Sequence, residues 1–254
     1  MSFEGKVALV TGASSGIGEA IALAFAARGA AVVVNGRDPG RIERVVGRIK
    51  AAEGAAIGVR ADVASRTEVQ RLVESALSAF GRIDILVNNA GGDGGAKRVE
   101  EISEQEWDAV FATNLKSVFL VTQAVLPVLK RQGGGKIVNI SSQAGRAMTI
   151  LAGPAYSAAK AGVQAFSRQV AREAAPFGIN VNVVAPGIIR SSSRLDAVWD
   201  DLPDDLRARI LSDIPAGRLG ENAEIVAAAL FLASPDASYL IGATLDVNGG
   251  RWML

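Results

Sequence analysis

The stretch AYSAAK at residues 155–160 places Tyr156 four residues before Lys160. In a helix, positions i and i+4 share one face. A phenol beside an ammonium is an acid–base device. Free tyrosine titrates near ~10, and a neighbouring cation lowers that value by stabilising the phenolate. The small residues Ala155, Ser157, Ala158 and Ala159 would let a ligand come close. Taken alone, the pair reads more readily as an exposed helical pair. Its weight comes from what the chain lacks: 254 residues contain no histidine, no cysteine and two tyrosines. A Ser-His-Asp triad, a cysteine nucleophile, a disulfide and a zinc site of His and Cys are excluded. No metal site is expected, and proton transfer falls to Asp, Glu, Lys, Tyr or Arg.

A second chemical element lies near the N-terminus. TGASSGIG, Thr11 to Gly18, follows an apolar run and precedes a helical pattern. Gly12, Gly16 and Gly18, with Ser14, Ser15 and Ile17 between them, suit a turn that approaches a pyrophosphate. The phosphates would meet free N–H groups and the favourable dipole at the helix start. The spacing is G-x-x-x-G-x-G rather than G-x-G-x-x-G, and a tight turn without a ligand is the competing reading.

The elements that must carry these residues alternate along the chain. Strands are expected at 6–11, 31–35, 56–60, 83–88, 136–141, 179–185 and 244–247. Amphipathic patterns lie between them, as at 66–80, where Val69, Leu72, Val73, Ala76 and Leu77 share a face. Such alternation implies a parallel sheet covered on both sides. One segment, about 190–215, is polar, contains Trp199 and Pro203, and interrupts the pattern; it reads as a substrate lid or a solvated insertion. Lys and Arg number 27 against 26 Asp and Glu, so no nucleic-acid partner is expected. The longest apolar run, around 225–233, is too short for a bilayer, and the N-terminus lacks a signal-peptide pattern. A soluble, cytoplasmic chain with no membrane partner is expected.

Several motifs now stand in order: TGASSGIG, NNAG at 88–91, Asn114, the Ser142/Tyr156/Lys160 set, PGII at 186–189, and LDVNGG near the C-terminus. Together, over almost the whole chain, they resemble the compact single-domain branch of the short-chain dehydrogenase/reductase family. The resemblance implies one α/β domain, a doubly wound Rossmann-type sheet of seven parallel strands with helices on both faces. It implies an enzyme that transfers a hydride between a nicotinamide cofactor and a ketone or secondary alcohol. A dinucleotide sensor of the same fold is the non-catalytic alternative.

The resemblance also implies roles. Tyr156 passes the proton to or from the substrate oxygen. Lys160 binds the nicotinamide ribose hydroxyls and lowers the tyrosine pKa. Ser142 hydrogen-bonds the substrate oxygen, with its neighbour Ser141 as rival. Asn114 holds a water that joins Lys160 to solvent, or is simply bonded to helix backbone. Asn88, Ala90 and Gly91 line the adenosine half of the cofactor. Asp62 and Val63 lie at its adenine edge, unless Asp62 caps the helix near Ser65. Pro186, Gly187, Ile188 and Ile189 border the nicotinamide, and Ser191 keeps a hydroxyl where threonine is frequent.

NADP is expected over NAD. Gly36 stands where an NAD enzyme of this type places an Asp, and Arg37 follows, able to pair with a 2′-phosphate. Asp38 before Pro39 reads as a helix cap, with ribose binding as the rival. Candidate pocket residues are Gln143, Met148, Ile150, Leu151, Leu195 and Trp199, beside Ser142 and Tyr156. They suit a medium-sized, uncharged substrate. A 3-oxoacyl thioester is one option, although Phe177 replaces a basic residue near Lys130, Arg131 and Arg172. Sugar, polyol, steroid and cyclic substrates are others. A homotetramer is expected from apolar helices around 107–131 and 156–177.

Overall fold

The computed structural model describes residues 1–149, 151–191 and 193–253, with the backbone alone at 193–195. Ile150 and the side chain of Leu195, both candidate pocket residues, lie outside the described residues.

Each expected strand segment forms a strand: β1 (Val7–Val10), β2 (Ala31–Gly36), β3 (Ala56–Arg60), β4 (Ile85–Asn88), β5 (Gly135–Ile140), β6 (Ile179–Pro186) and, at the C-terminal end, Thr244–Val247. They pair in parallel. The helices between them are α1 (Gly16–Ala26), α2 (Pro39–Ala51), α3 (Arg66–Phe80), α4 (Glu104–Phe111), α5 (Ser117–Gln132) and α6 (Pro154–Ala174). Alternation along each strand supplies two cores. In β1, Ala8 and Val10 pack with Ile21, Phe25 and Ile225, whereas Val7 and Leu9 pack with Leu72, Val125 and Val170 on the opposite face. Burial on both faces explains why these strands are continuous apolar runs.

The segment expected to be a polar excursion is largely helical. It contains β7 (Ile189–Arg190), α7 (Ser193–Asp200), α8 (Asp204–Ser212) and β8 (Gly220–Glu221), where β7 and β8 pair in parallel. Then come α9 (Asn222–Ala233) and the last strand, β9 (Thr244–Val247). The seven-stranded sheet has the order β3-β2-β1-β4-β5-β6-β9. The winding direction therefore reverses between β1 and β4, and such a switch point opens a crevice at the carboxyl ends of the strands.

Two helices bear on the site. From Glu104 to Gln132 the chain is one continuous helix of 29 residues. By length and composition it could cross a membrane, but Leu120, Val121, Val125 and Leu129 are buried in the core, as in the core helix of a soluble domain. A π-helical turn, Ala112–Lys116, interrupts it at Asn114. Helix α6 starts with Pro154 in its first turn and buries Ala155, Ala159, Lys160, Val163, Gln164 and Ser167 on one face.

Candidate active site

At the switch point the loops after β1 and β4 meet. Gly12 has φ +61°, and a Cβ there would lie 2.8 Å from the Ala90 Cα, so only glycine fits. The turn is braced from β4. Asn89 Nδ2 donates to the carbonyls of Thr11 and Gly12, both at 3.1 Å, while Thr11 Oγ1 accepts from the backbone N–H of Asn89 and Ala90. Ser15 precedes α1 and no side chain caps the helix. The result is a rigid, glycine-walled turn at an open helix N-terminus, which fits a pyrophosphate. Asn89 and Thr11 are bracing residues that sequence reasoning passed over, although both lie inside the motifs it used.

The residues expected to hold the rest of the cofactor are placed in different ways. The Asn88 side chain turns inward, donating to Asn139 Oδ1 at 2.8 Å and Thr122 Oγ1 at 3.1 Å. Only its backbone can face a ligand. Asp62 is not the cap of α3, since Ser65 holds that position; its carboxylate accepts from the Ala64 N–H at 2.9 Å. Val63 is buried beside it. Gly187 donates to the Val247 carbonyl at 2.9 Å, following Pro186 at the end of β6. Ile189 and Ser191 are buried, and the Ser191 carbonyl accepts from Asn222 at 3.3 Å.

Asp38 caps α2: its Oδ1 accepts from the Arg41 N–H at 3.1 Å and Oδ2 pairs with the Arg41 guanidinium. Arg37 is exposed, and its guanidinium has no partner among the described residues. The parallel register sets Arg60 beside Gly36, and Arg60 Nε donates to the Arg37 carbonyl at 3.3 Å. Arg37 was expected to act largely alone. A second guanidinium stands next to it, a neighbour that only strand register reveals.

At the other end of the crevice, Asn114, Tyr156, Lys160 and Ser142 come together. Lys160 is 4% exposed, and its Nζ donates to the Ile140 carbonyl at 3.0 Å and lies 5.6 Å from the Tyr156 ring centroid. An ammonium has three donors, so two remain for a ligand. A Cβ on Gly91 would come within 2.7 Å of Asn114 Oδ1 and 3.3 Å of Lys160 Nζ, so the NNAG loop closes directly over both. Asn114 is fully buried, donating to the carbonyls of Gly92 and Val110 and accepting from the Gly92 N–H. It is thus bonded to backbone, and the π-helical turn swings it towards Lys160. Single-turn π-bulges recur at functional sites.

The two serines are distinct. Ser141 Oγ is buried and donates to the Lys160 carbonyl at 2.9 Å. Ser142 is half-buried; its Oγ accepts from the Ala144 N–H at 3.1 Å and hydrogen-bonds the Tyr156 phenol. Burial pushes the phenol up to about 12; the Ser142 bond opposes this and the Asp93 carboxylate adds to it. Burial brings Lys160 down to about 8. The expected lowering of Tyr156 by Lys160 is therefore absent among the protein's own groups: desolvation wins, because the ammonium bonds Ile140 rather than the phenol. Asp93 was also missed, being five residues past the strand end in a glycine loop.

The substrate candidates divide. Gln143 is buried, with Oε1 lacking a partner among the described residues; Leu151 and Trp199 are half-buried. Met148 is 94% exposed. It lines a groove of about 680 Å³ with Gly145, Arg146, Ser157, Ala158 and Ala161, but Ser142, Tyr156 and Lys160 do not line that groove. The open groove flanks the chemistry rather than holding it.

A family described as short chain dehydrogenase matches residues 6–201. The chain is 44% identical to the 3-oxoacyl-[acyl-carrier-protein] reductase FabG of Salmonella typhimurium over the full length of both. It is 42% identical to the (2S)-[(R)-hydroxy(phenyl)methyl]succinyl-CoA dehydrogenase subunit BbsD of Thauera aromatica, over 99% of this chain and 98% of that one. Among solved structures, a 7α-hydroxysteroid dehydrogenase complexed with NADH and 7-oxo glycochenodeoxycholic acid superposes with a TM-score of 0.91 at 36% identity, covering 98% of this chain and 95% of that one. By motif, fold and full-length similarity, the chain belongs to the short chain dehydrogenase family, oxidoreductases that move a hydride between a nicotinamide cofactor and a carbonyl or alcohol carbon.

Proposed function

We propose that the protein is an NADP(H)-dependent reductase of ketones, running in reverse as a secondary-alcohol dehydrogenase, and that 3-oxoacyl thioesters are its substrate class. The observation that carries the chemistry is the convergence of Tyr156, Ser142, Lys160 and Asn114 at the mouth of a glycine-walled crevice. When bound, the reduced nicotinamide supplies the hydride. Ser142 orients the substrate carbonyl by a hydrogen bond, and the Tyr156 hydroxyl gives its proton to that oxygen. A phenol titrating at about 12 stays protonated through the neutral range, as a proton donor must. Lys160 holds the ribose hydroxyls with its two spare donors. Asn114 fixes the loop over Lys160 through its bonds to the Gly92 and Val110 backbone.

The cofactor half of the site is Gly12, Ser14, Ser15, Gly16, Ile17 and Gly18 for the pyrophosphate, with Arg37 on the 2′-phosphate. Both named sequence relatives act on thioesters, which supports that class. Lys130 lies over the Phe177 ring, 4.1 Å from its centroid, so one cation of the patch that would receive a carrier protein is already engaged. Helices α7 and α8 form the lid of a single cytoplasmic domain. Oxidation of NADPH with 3-oxoacyl-CoA, 3-oxoacyl-carrier, steroid and cyclic ketones is the direct trial; no absorbance change with any ketone would sink the proposal.

Two further results are expected. Since Lys160 loses its proton as pH rises through about 8, kcat/KM for reduction should be level below that pH. Above it, the value should fall roughly tenfold per pH unit. A profile flat to alkaline pH contradicts the role of the ammonium. The second concerns assembly. Phe119 on α5 packs edge-to-face on Phe166 of α6 and remains 37% exposed, and Trp252 and Met253 at the C-terminus are exposed as well. We expect these faces to meet in a homotetramer; a monomeric mass by light scattering at micromolar concentration would refute it.

A further inference from the structure

Gln164 lies one helical turn beyond Lys160 on α6 and is 4% exposed. Its Nε2 donates to Ser141 Oγ at 3.2 Å and to the Ser142 carbonyl at 3.3 Å. Its Oε1 accepts from Arg146 Nε at 3.0 Å. Arg146 in turn donates from Nη1 to Asp246 Oδ2 on β9 at 3.1 Å, both side chains being mostly covered. A guanidinium has donors only, so Arg146 decides which way the amide faces. Turned over, the amide would set Oε1 against the Ser142 carbonyl and its NH2 group against Arg146. Arg146 thus directs both amide hydrogens at the two serines.

We infer that Gln164 is a positioning residue for Ser142, oriented by the Arg146–Asp246 pair. The geometry the reaction needs spans two elements. Ser142 follows β5, while Tyr156 and Lys160 ride on α6. Their polar groups must converge on one substrate oxygen, and sub-ångström placement governs such steps. Two of the bonds that join the elements here are Ser141 Oγ to the Lys160 carbonyl, and the Gln164 amide to the Ser142 carbonyl. The first holds the helix to the strand end. The second reaches the backbone of Ser142 itself, and its strength depends on a charge pair anchored at the far edge of the sheet. The inference rests on the reading of Ser142 as the group that orients the substrate carbonyl.

The test is a double-mutant cycle on the full-length protein. The variants are Gln164→Met, Ser142→Ala and both together, with kcat for ketone reduction and Kd for the reduced cofactor as readouts. Gln164→Met is expected to lower kcat about tenfold and leave cofactor Kd within about twofold. In the Ser142→Ala background it should cost less than about twofold more, because there is no serine left to misplace. A full kcat in Gln164→Met, or a loss that multiplies with that of Ser142→Ala, overturns the inference. Should Ser142→Ala alone retain kcat, the reading of Ser142 fails and the inference with it. Arg146→Met, at a less buried position, repeats the cycle if Gln164→Met does not fold: a smaller kcat loss that vanishes in the Ser142→Ala background supports the inference, and a loss that multiplies with it, or none, overturns it.

Discussion

Tyr156→Phe is expected to cut kcat for ketone reduction at least ~100-fold, the usual scale for losing a positioned general acid. The ring keeps its packing beside Lys160, so cofactor Kd should change by no more than about twofold. The chain has no histidine to take over the proton, and Lys160 bonds the Ile140 carbonyl. The variant also removes a desolvated hydroxyl, so folding should not suffer. Steady-state kinetics together with cofactor titration decide the matter. A variant near wild-type kcat would mean that the proton comes from elsewhere.

The second large effect is expected at the far end of the cofactor. Arg37→Ala should lower the ratio of kcat/KM for NADPH over NADH by roughly 10- to 150-fold, the worth of one charged hydrogen bond of about 1.5–3 kcal/mol. The physical grounds are the exposed guanidinium of Arg37, without a partner among the described residues, and the use of Asp38 as the α2 cap rather than as an acid aimed at a ribose. Arg60 beside it should retain part of the preference, putting the effect of Arg37→Ala towards the lower end and making the double variant more severe. A wild type that prefers NADH, or an unchanged ratio in Arg37→Ala, would show that the strand end does not read the 2′-phosphate.

The fold was legible because burial on both faces of the sheet writes each strand as a run such as VALV at 7–10, and because glycine and proline punctuate the gaps. Asp38-Pro39 announced the start of α2 for the same local reason. The segment at 190–215 was harder. Its helices are short and polar, so they are easily read as loop. The π-turn at Asn114 has no sequence signature; it lies where Asn114 bonds the backbone of Gly92 beyond the NNAG loop. The candidate site shows the same division. Tyr156 and Lys160 could be noticed as an i, i+4 pair, and the family resemblance singled them out together with Ser142. Arg60, Asn89 and Gln164 could not, since each acts through a neighbour that is distant in sequence: Arg37 from the next strand, the turn at Gly12, and Ser142 across the β5–α6 junction. The reversed pKa of Tyr156 was also out of reach, because desolvation depends on burial that spacing alone does not reveal.

The central claim is direct hydride transfer to a carbonyl carbon with Tyr156 as the proton donor. It is tested most directly by a single turnover of the wild type and Tyr156→Phe with a 3-oxoacyl-CoA and NADPH deuterated at both C4 positions, the product being read by mass spectrometry. The wild type should yield a 3-hydroxyacyl product with one deuterium on its carbinol carbon, and Tyr156→Phe should form it at least ~100-fold more slowly. An alcohol formed without deuterium at that carbon, or formed equally fast by the variant, would contradict the account.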